Sequence, residues 1–140
     1  MDFEACTEET SQKVICLKEN KSKFIVNNPN QHNLKKTRVD ECLIGTSEEK
    51  CDWIVSNVEP LNLAYFIELK GCDIKKAISQ LANTMRLTNK HYSNYSLQCY
   101  IVSTRMPKAN TSAQKIKKDF YNKHKVNVDI KNIQQSVTVP

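Results

Sequence analysis

Residues 63–85 read LAYFIELKGCDIKKAISQLANTM, and within this stretch a strand pattern gives way to a helix pattern. The segment before the glycine is rich in β-branched and aromatic residues, which are typical of strands. From residue 74 onwards the apolar residues follow the spacing i, i+3, i+4, i+7, i+8 and i+11, which forms one face of a helix. Asp73 is predicted to be the N-cap of this helix. The stretch therefore predicts a strand followed at once by an amphipathic helix.

Similar patterns on both sides of this stretch extend the prediction to the whole chain. A strand–helix–strand unit joins parallel strands, so the order of elements predicts a central mixed sheet flanked by helices. We expect an α/β fold, at the border with α+β, in one domain over residues 1–140. Its core covers about residues 38–104, followed by a basic helix and strand within residues 105–131. Further strands are predicted at residues 13–18, 23–28, 38–44, 51–56, 97–103 and 126–130, and a second helix at residues 111–125.

Three polar residues on the central predicted strands could form a catalytic centre. Glu68 and Lys70 project from the same face of a strand because side chains alternate along it. Asp52 lies on the preceding predicted strand, so pairing of the two strands would bring it near Glu68. Two carboxylates can hold a hard cation such as Mg²⁺ or Mn²⁺, which activates a bound water, and a lysine can position that water. This chemistry suits phosphodiester hydrolysis, whereas the simpler alternative is a salt bridge of Lys70 with one of the acids.

An Asp-bearing strand, a strand ending in Glu-x-Lys and an immediately following helix together resemble the core of the PD-(D/E)XK nuclease superfamily. The resemblance covers about residues 38–104 and implies a restriction-endonuclease-like core. It assigns metal binding to Asp52 and Glu68 and assistance of the attacking water to Lys70. Cys51 stands where the motif has its proline, which is the least constant part of the motif.

Further positions follow from the same resemblance. Many members carry a glutamine on the helix after Glu-x-Lys, and Gln80 occupies such a place, which implies contact with a metal-bound water or with the nucleic-acid backbone. The tyrosine that accompanies this glutamine is replaced by Thr84. Asp40 and Glu41, on the first predicted core strand, are candidates for accessory acids near the site.

The positive charge of the chain is concentrated in one segment. Residues 105–131 contain eight Lys or Arg and two Asp, which accounts for the whole net charge of +6. Such a segment suits a polyanion such as nucleic acid, although a solvated lysine-rich helix would have the same composition. DNA is favoured over RNA because most members of the superfamily cut DNA. The residues predicted to contact nucleic acid are Lys108, Lys115, Lys117, Lys118 and Lys123.

The remaining composition bears on location and on the cysteines. No apolar run approaches the roughly 20 residues that a membrane helix needs, and the first residues do not resemble a secretory signal, so we expect a cytoplasmic protein without a membrane partner. The six cysteines form no CxxC pair, which favours free, buried thiols in a reducing cytoplasm. A zinc site is the alternative, built from Cys42, Cys51, Cys72 and Cys99.

Three functional hypotheses emerge from the sequence. The first is a Mg²⁺- or Mn²⁺-dependent nuclease, for which a homodimer would supply one centre for each strand of a duplex. The second is a catalytically inactive protein of the same fold that binds nucleic acid or acts as an immunity or inhibitor protein. The third is a structural interaction module whose lysines are merely solvated.

Overall fold

The computed structural model describes residues 1–19, 21–69, 73–104 and 110–140. Its mixed α/β architecture in one small domain confirms the predicted fold class. Among the described residues, no helix has the length and apolarity needed to cross a membrane. The elements within these ranges are α1 (Phe3–Cys6), β1 (Thr7–Thr10), β2 (Val14–Glu19), β3 (Ser22–Asn27), β4 (Leu34–Arg38), β5 (Trp53–Asn57), β6 (Leu63–Glu68), α2 (Ile74–Leu87), β7 (Ser96–Ser103), α3 (Asn110–His124), β8 (Asn127–Asn132) and β9 (Gln134–Thr138).

A six-stranded sheet in the order β1-β4-β5-β6-β7-β8 forms the centre of the molecule. The strands β4, β5 and β6 form an antiparallel meander, whereas β6, β7 and β8 are parallel neighbours. Parallel neighbours need a crossover connection, and α2 and α3 provide the two crossovers. The predicted strand–helix–strand unit around residues 63–103 is therefore confirmed.

The central sheet is covered on both faces. Residues of α2 and α3, such as Leu81 and Phe120, pack against Ile54, Phe66 and Ile101 on one face. The other face packs against a smaller sheet in the order β2-β3-β9 and contributes residues such as Val55 and Ile67 to a second core. Each fully buried large side chain contributes roughly 1.5–3 kcal/mol to folding. The fold is thus three layers deep, with helices, a six-stranded sheet and a three-stranded sheet.

The helix after the central strand forms as its sequence predicts. The Asp73 side chain accepts a hydrogen bond from the Lys76 N–H at 3.2 Å and caps the first turn of α2. The buried side of the helix includes Ala77, Leu81 and Met85, which belong to the predicted apolar face. The cap and the apolar stripe together fix where the helix begins and which side faces the sheet.

The strand predicted at residues 38–44 is wrong. The strand β4 ends at Arg38, and the following residues form turns in which the Leu43 N–H bonds the Arg38 carbonyl at 3.2 Å. Glu41 has a φ of 66°, which a strand does not accommodate. Val39 and Leu43 are nevertheless buried. Their apolar side chains enter the core from turns. The segment therefore has the apolar composition of a strand without being one.

The prediction that all cysteines are free is also wrong. Cys6 and Cys42 form a disulfide that joins the end of α1 to the turns after β4. Cys51 and Cys99 are buried free thiols, as predicted, whereas the free thiol Cys16 is exposed. The bond to Cys6 removes Cys42 from the alternative zinc site, and Cys72 lies outside the described residues.

Candidate functional site

Asp52 lies beside Glu68 where β5 begins and β6 ends. The Asp52 N–H donates to the Ile67 carbonyl at 3.1 Å, and the Asp52 Oδ2 accepts a hydrogen bond from the Leu69 N–H at 2.8 Å. These two contacts fall on either side of Glu68 along β6. Both acids are only 3% exposed. The structure therefore brings the two predicted carboxylates together in a buried place.

The pKa of the Cys51 thiol reflects the burial and the charges around Asp52 and Glu68. Burial raises the pKa of the Cys51 thiol well above its ordinary value; a hydrogen bond with Thr84 lowers it, and the charges of Glu68 and Asp52 raise it further. The thiol is therefore protonated, whereas a metal-ligating cysteine is a thiolate. The Cys51 thiol therefore lies close to both acids, which places Asp52 and Glu68 in one buried cluster.

Thr84 holds the residue that precedes Asp52. Its hydroxyl accepts a hydrogen bond from the Cys51 N–H and donates one to the Gln80 carbonyl, both at 2.8 Å. Thr84 is fully buried on the sheet-facing side of α2. From the sequence alone, Thr84 was only a departure from the pattern of the superfamily. A hydroxyl residue among the apolar positions of the helix was the signal that could have indicated a buried hydrogen bond.

The turns after β4 hold Asp52 from the other side. Its carbonyl accepts hydrogen bonds from the Val39 N–H at 3.0 Å and the Asp40 N–H at 3.4 Å. The Asp40 carboxylate lies 3.8 Å from the Lys50 ammonium. The backbone of Asp40 thus lies next to that of Asp52, and its predicted accessory role stays a prediction. Lys50, two residues before Asp52, is a nearby cation that was not predicted from the sequence.

The other predicted residues of the centre have different placements. Glu41 pairs with Arg38 at 3.2 Å, and its side chain is 70% exposed, so it is not part of the buried cluster. Gln80 is half-buried on α2, one turn before Thr84. Lys70 and Lys108 lie outside the described residues.

The basic residues of α3 divide into two groups. Lys115, Lys118 and Lys123 are exposed, as nucleic-acid contacts require. The Lys117 ammonium instead pairs with the Asp129 carboxylate at 3.1 Å and ties α3 to β8. The first three therefore remain candidate contacts, and Lys117 has a structural partner.

Cations of α2 lie across a groove from α3. Lys75 and Lys123, together with Asp119, line a cavity of about 380 Å³ between the two helices, and Arg86 and Lys123 line an adjoining one of about 580 Å³. Residues 74–90 contain four Lys or Arg and no acidic residue. Net charge along the chain is concentrated in residues 105–131, whereas on the folded surface cations of α2 lie beside those of α3.

The acid pair can be tested for its fit to a metal ion. Among the described residues, no group of three or more His, Cys, Asp or Glu side chains could hold a metal. Mg²⁺ commonly uses only one or two carboxylates and completes its coordination with waters and substrate phosphate oxygens. Asp52 and Glu68 fit a hard cation of this kind, and the buried Cys51 does not make the site a thiolate centre.

Comparisons of the chain with protein-family models, with curated proteins and with solved structures gave no match.

Proposed function

We propose that this chain is a nuclease that hydrolyses the phosphodiester bonds of nucleic acid, preferably DNA, with Mg²⁺ or Mn²⁺. The observation that carries the proposal is the buried pair of Asp52 and Glu68 at the end of the β5–β6 ladder. The order meander, helix, parallel strand around this pair supports the resemblance to the PD-(D/E)XK superfamily.

Each residue of the pair has a role that its surroundings support. Asp52 and Glu68 would hold the cation, and their burial strengthens its electrostatic attraction. When bound, the cation lowers the pKa of a coordinated water and neutralises charge on the phosphate. The Leu69 N–H fixes the orientation of the Asp52 carboxylate through Oδ2. Lys70, on the evidence of the motif, would position the attacking water.

The topology supports a path for the substrate beside the pair. The helices α2 and α3 follow β6 and β7, so their first turns begin at the edge of the sheet where Glu68 lies. Helix N-termini carry partial positive charge, and lysines near these ends add full charges. These charges would attract phosphates to the edge of the sheet that carries the acids. The exposed lysines Lys75 and Lys76 lie in the first turn of α2, whereas Lys115 and Lys118 lie in the second and third turns of α3.

A cleavage assay tests the proposal directly. Plasmid, linear and single-stranded DNA, and RNA, are incubated with Mn²⁺ or with EDTA, and the wild type is compared with Asp52→Asn and Glu68→Gln. Each substitution keeps the side-chain shape but removes a charge, so we expect a loss of roughly 100- to 1000-fold in rate. Glu8→Gln is the matched control, because this glutamate is 80% exposed on β1, and it should cut at the wild-type rate.

Two results would contradict the proposal. Cleavage that survives in both variants, or that persists in EDTA, removes Asp52 and Glu68 from the centre. A folded wild type that cuts none of the four substrates and binds neither Mg²⁺ nor Mn²⁺ favours the inactive relative that binds nucleic acid or acts as an immunity or inhibitor protein. The cationic groove between α2 and α3 favours the nucleic-acid binder among these, since it does not depend on the acid pair.

The proposed contact surface has its own test, in which Lys115→Glu and Lys118→Glu are combined. Loss of two phosphate contacts should weaken DNA binding and lower the slope of log affinity against log salt by about two. Lys21→Glu, in the distant β2–β3 connection, is the control and should leave the slope unchanged. Binding measured by fluorescence anisotropy at several salt concentrations decides the matter. An unchanged slope in the double variant would place the contact surface elsewhere.

A further inference from the structure

The strand β2 is an outer strand of the three-stranded sheet, whose order is β2-β3-β9. An outer strand presents a row of backbone N–H and C=O groups that a further strand can pair with. Proteins usually protect such edges with charged residues, and β1, at the edge of the larger sheet, has the sequence TEET. The strand β2 has the sequence VICLKE and lacks this protection over its first four residues.

The register of β2 with β3 shows which backbone groups point outward. The Asn28 N–H donates to the Lys13 carbonyl at 2.7 Å, so Lys13 directs its backbone groups towards β3. In an antiparallel ladder this direction alternates along the strand, so Ile15 and Leu17 do the same. Val14, Cys16 and Lys18 therefore direct their backbone groups to the outer edge.

We propose that β2 pairs antiparallel with β2 of a second copy of this chain, about a two-fold axis at Cys16. Hydrogen bonds between the two strands form only where residues with outward-directed backbone groups lie opposite one another. A two-fold axis at Cys16 lets all three such residues of β2 form these bonds. Val14 then lies opposite Lys18 of the second copy, and the two chains exchange about six backbone hydrogen bonds. The two three-stranded sheets become one six-stranded sheet.

The side chains of β2 are complementary to themselves in this register. Opposite residues share a face, so Ile15 meets Leu17 of the second copy and the buried layer continues across the interface. On the outer face, the exposed Val14 and Cys16 continue an apolar surface with Ile25 of β3. Lys13 lies opposite Glu19 at both ends, which gives opposite charges. A strand of unrelated sequence would not supply this pattern, so a second copy is the occupant that the residues fit.

The decisive experiment measures the dimer dissociation constant of the full chain by sedimentation equilibrium. In this register residue 14 lies opposite Lys18 of the second copy, and the pair occurs twice. Val14→Lys therefore places two cations opposite each other in each pair and should weaken the dimer. Val14→Glu places opposite charges there and should strengthen it. We expect changes of about tenfold in opposite directions. Because Val14 is 57% exposed, both variants should fold, which circular dichroism checks.

A matched control and a second measurement complete the test. Ile133 is 51% exposed outside β2, so Ile133→Lys should leave the dissociation constant unchanged. In a Cys72→Ser background, a short thiol-to-thiol crosslinker should capture the dimer through Cys16 and fail in Cys16→Ser, since the free thiols Cys51 and Cys99 are buried.

Several outcomes would overturn the inference. These are a wild type that stays monomeric at the highest concentration at which it remains soluble, Val14 variants that shift the equilibrium in the same direction, and crosslinking that persists in Cys16→Ser. The inference is independent of the proposed nuclease activity, because it concerns the sheet on the opposite side of the molecule from α2 and α3.

Discussion

The two faces of the central sheet differ in what they bury. Beneath the three-stranded sheet, the middle of β5, β6 and β7 contributes apolar and aromatic side chains, among them Val55, Ile67 and Val102. Beneath the helices, the same strands bury polar residues between apolar ones, including Ser56, Glu68 and Ser103. Neighbouring residues of one strand therefore serve different purposes. Both faces supply cohesion through apolar side chains, and the helix-covered face also buries the acid Glu68 at the end of β6.

The helix-covered face itself has a neutral end and a charged end. At the neutral end the Thr7 and Thr37 hydroxyls lie 2.8 Å apart. Burial raises the pKa of the Tyr92 phenol, while hydrogen bonds with Thr37 and Ser56 lower it. Such neutral networks satisfy buried polar groups at little electrostatic cost. At the other end two acids, Asp52 and Glu68, are buried close together, and buried acids of this kind are candidates for a functional site.

The largest expected effect is a difference in the free energy of unfolding between substitutions at two adjacent residues of β6, which face opposite sides of the sheet. Ile67→Ala should lower the free energy of unfolding by about 2–5 kcal/mol, because it leaves a cavity in a fully buried site. Glu68→Gln should lower it less than Ile67→Ala does, because the amide keeps the shape of the side chain and leaves no cavity. Urea denaturation of both variants measures the difference. A loss in Glu68→Gln as large as that in Ile67→Ala would mean that the glutamate is a structural residue.

The sequence predicted strands and helices correctly where one face of the element is buried, because the spacing of the apolar residues shows which face that is. The alternation of β6 placed Glu68, and the 3.6-residue period placed α2, because burial forces those patterns on the residues themselves. The hairpin of β2 and β3 was also predicted within one residue at each end. These elements are local, so their sequence contains the information that fixes them.

The features that were not predicted from the sequence depend on contacts between residues that are distant along the chain. The edge strand β1 pairs through polar residues, with Lys36 3.9 Å from Glu8, and therefore lacks an apolar signal. The strand β9 pairs in parallel with β3 more than 100 residues earlier, which no local pattern indicates. The disulfide of Cys6 with Cys42 likewise arises because turns after β4 return to α1. Asp52 and Glu68 were predicted as a pair, but the contacts that hold Asp52 in place were not.

The smaller expected effect concerns Thr84, which connects α2 to the residue before Asp52. Thr84→Val keeps the shape of the side chain but leaves the Cys51 N–H buried without its acceptor, which should cost about 1–3 kcal/mol of stability. If Thr84 also positions Asp52, the variant should need more Mn²⁺ for half-maximal cleavage, and Thr84→Ser should restore the wild-type requirement.

Thr88 provides the matched control for this positioning role. Its buried hydroxyl donates to the Thr84 carbonyl at 2.7 Å at the end of the helix, whereas the Cys51 N–H bonds the Thr84 hydroxyl. Thr88→Val should therefore reduce stability through a lost hydrogen bond while leaving the Mn²⁺ requirement unchanged. Equal Mn²⁺ requirements in Thr84→Val and Thr88→Val would show that Thr84 contributes only to stability. A requirement that rises in Thr84→Val alone would mean that the helix-covered face orients the acid pair as well as burying it.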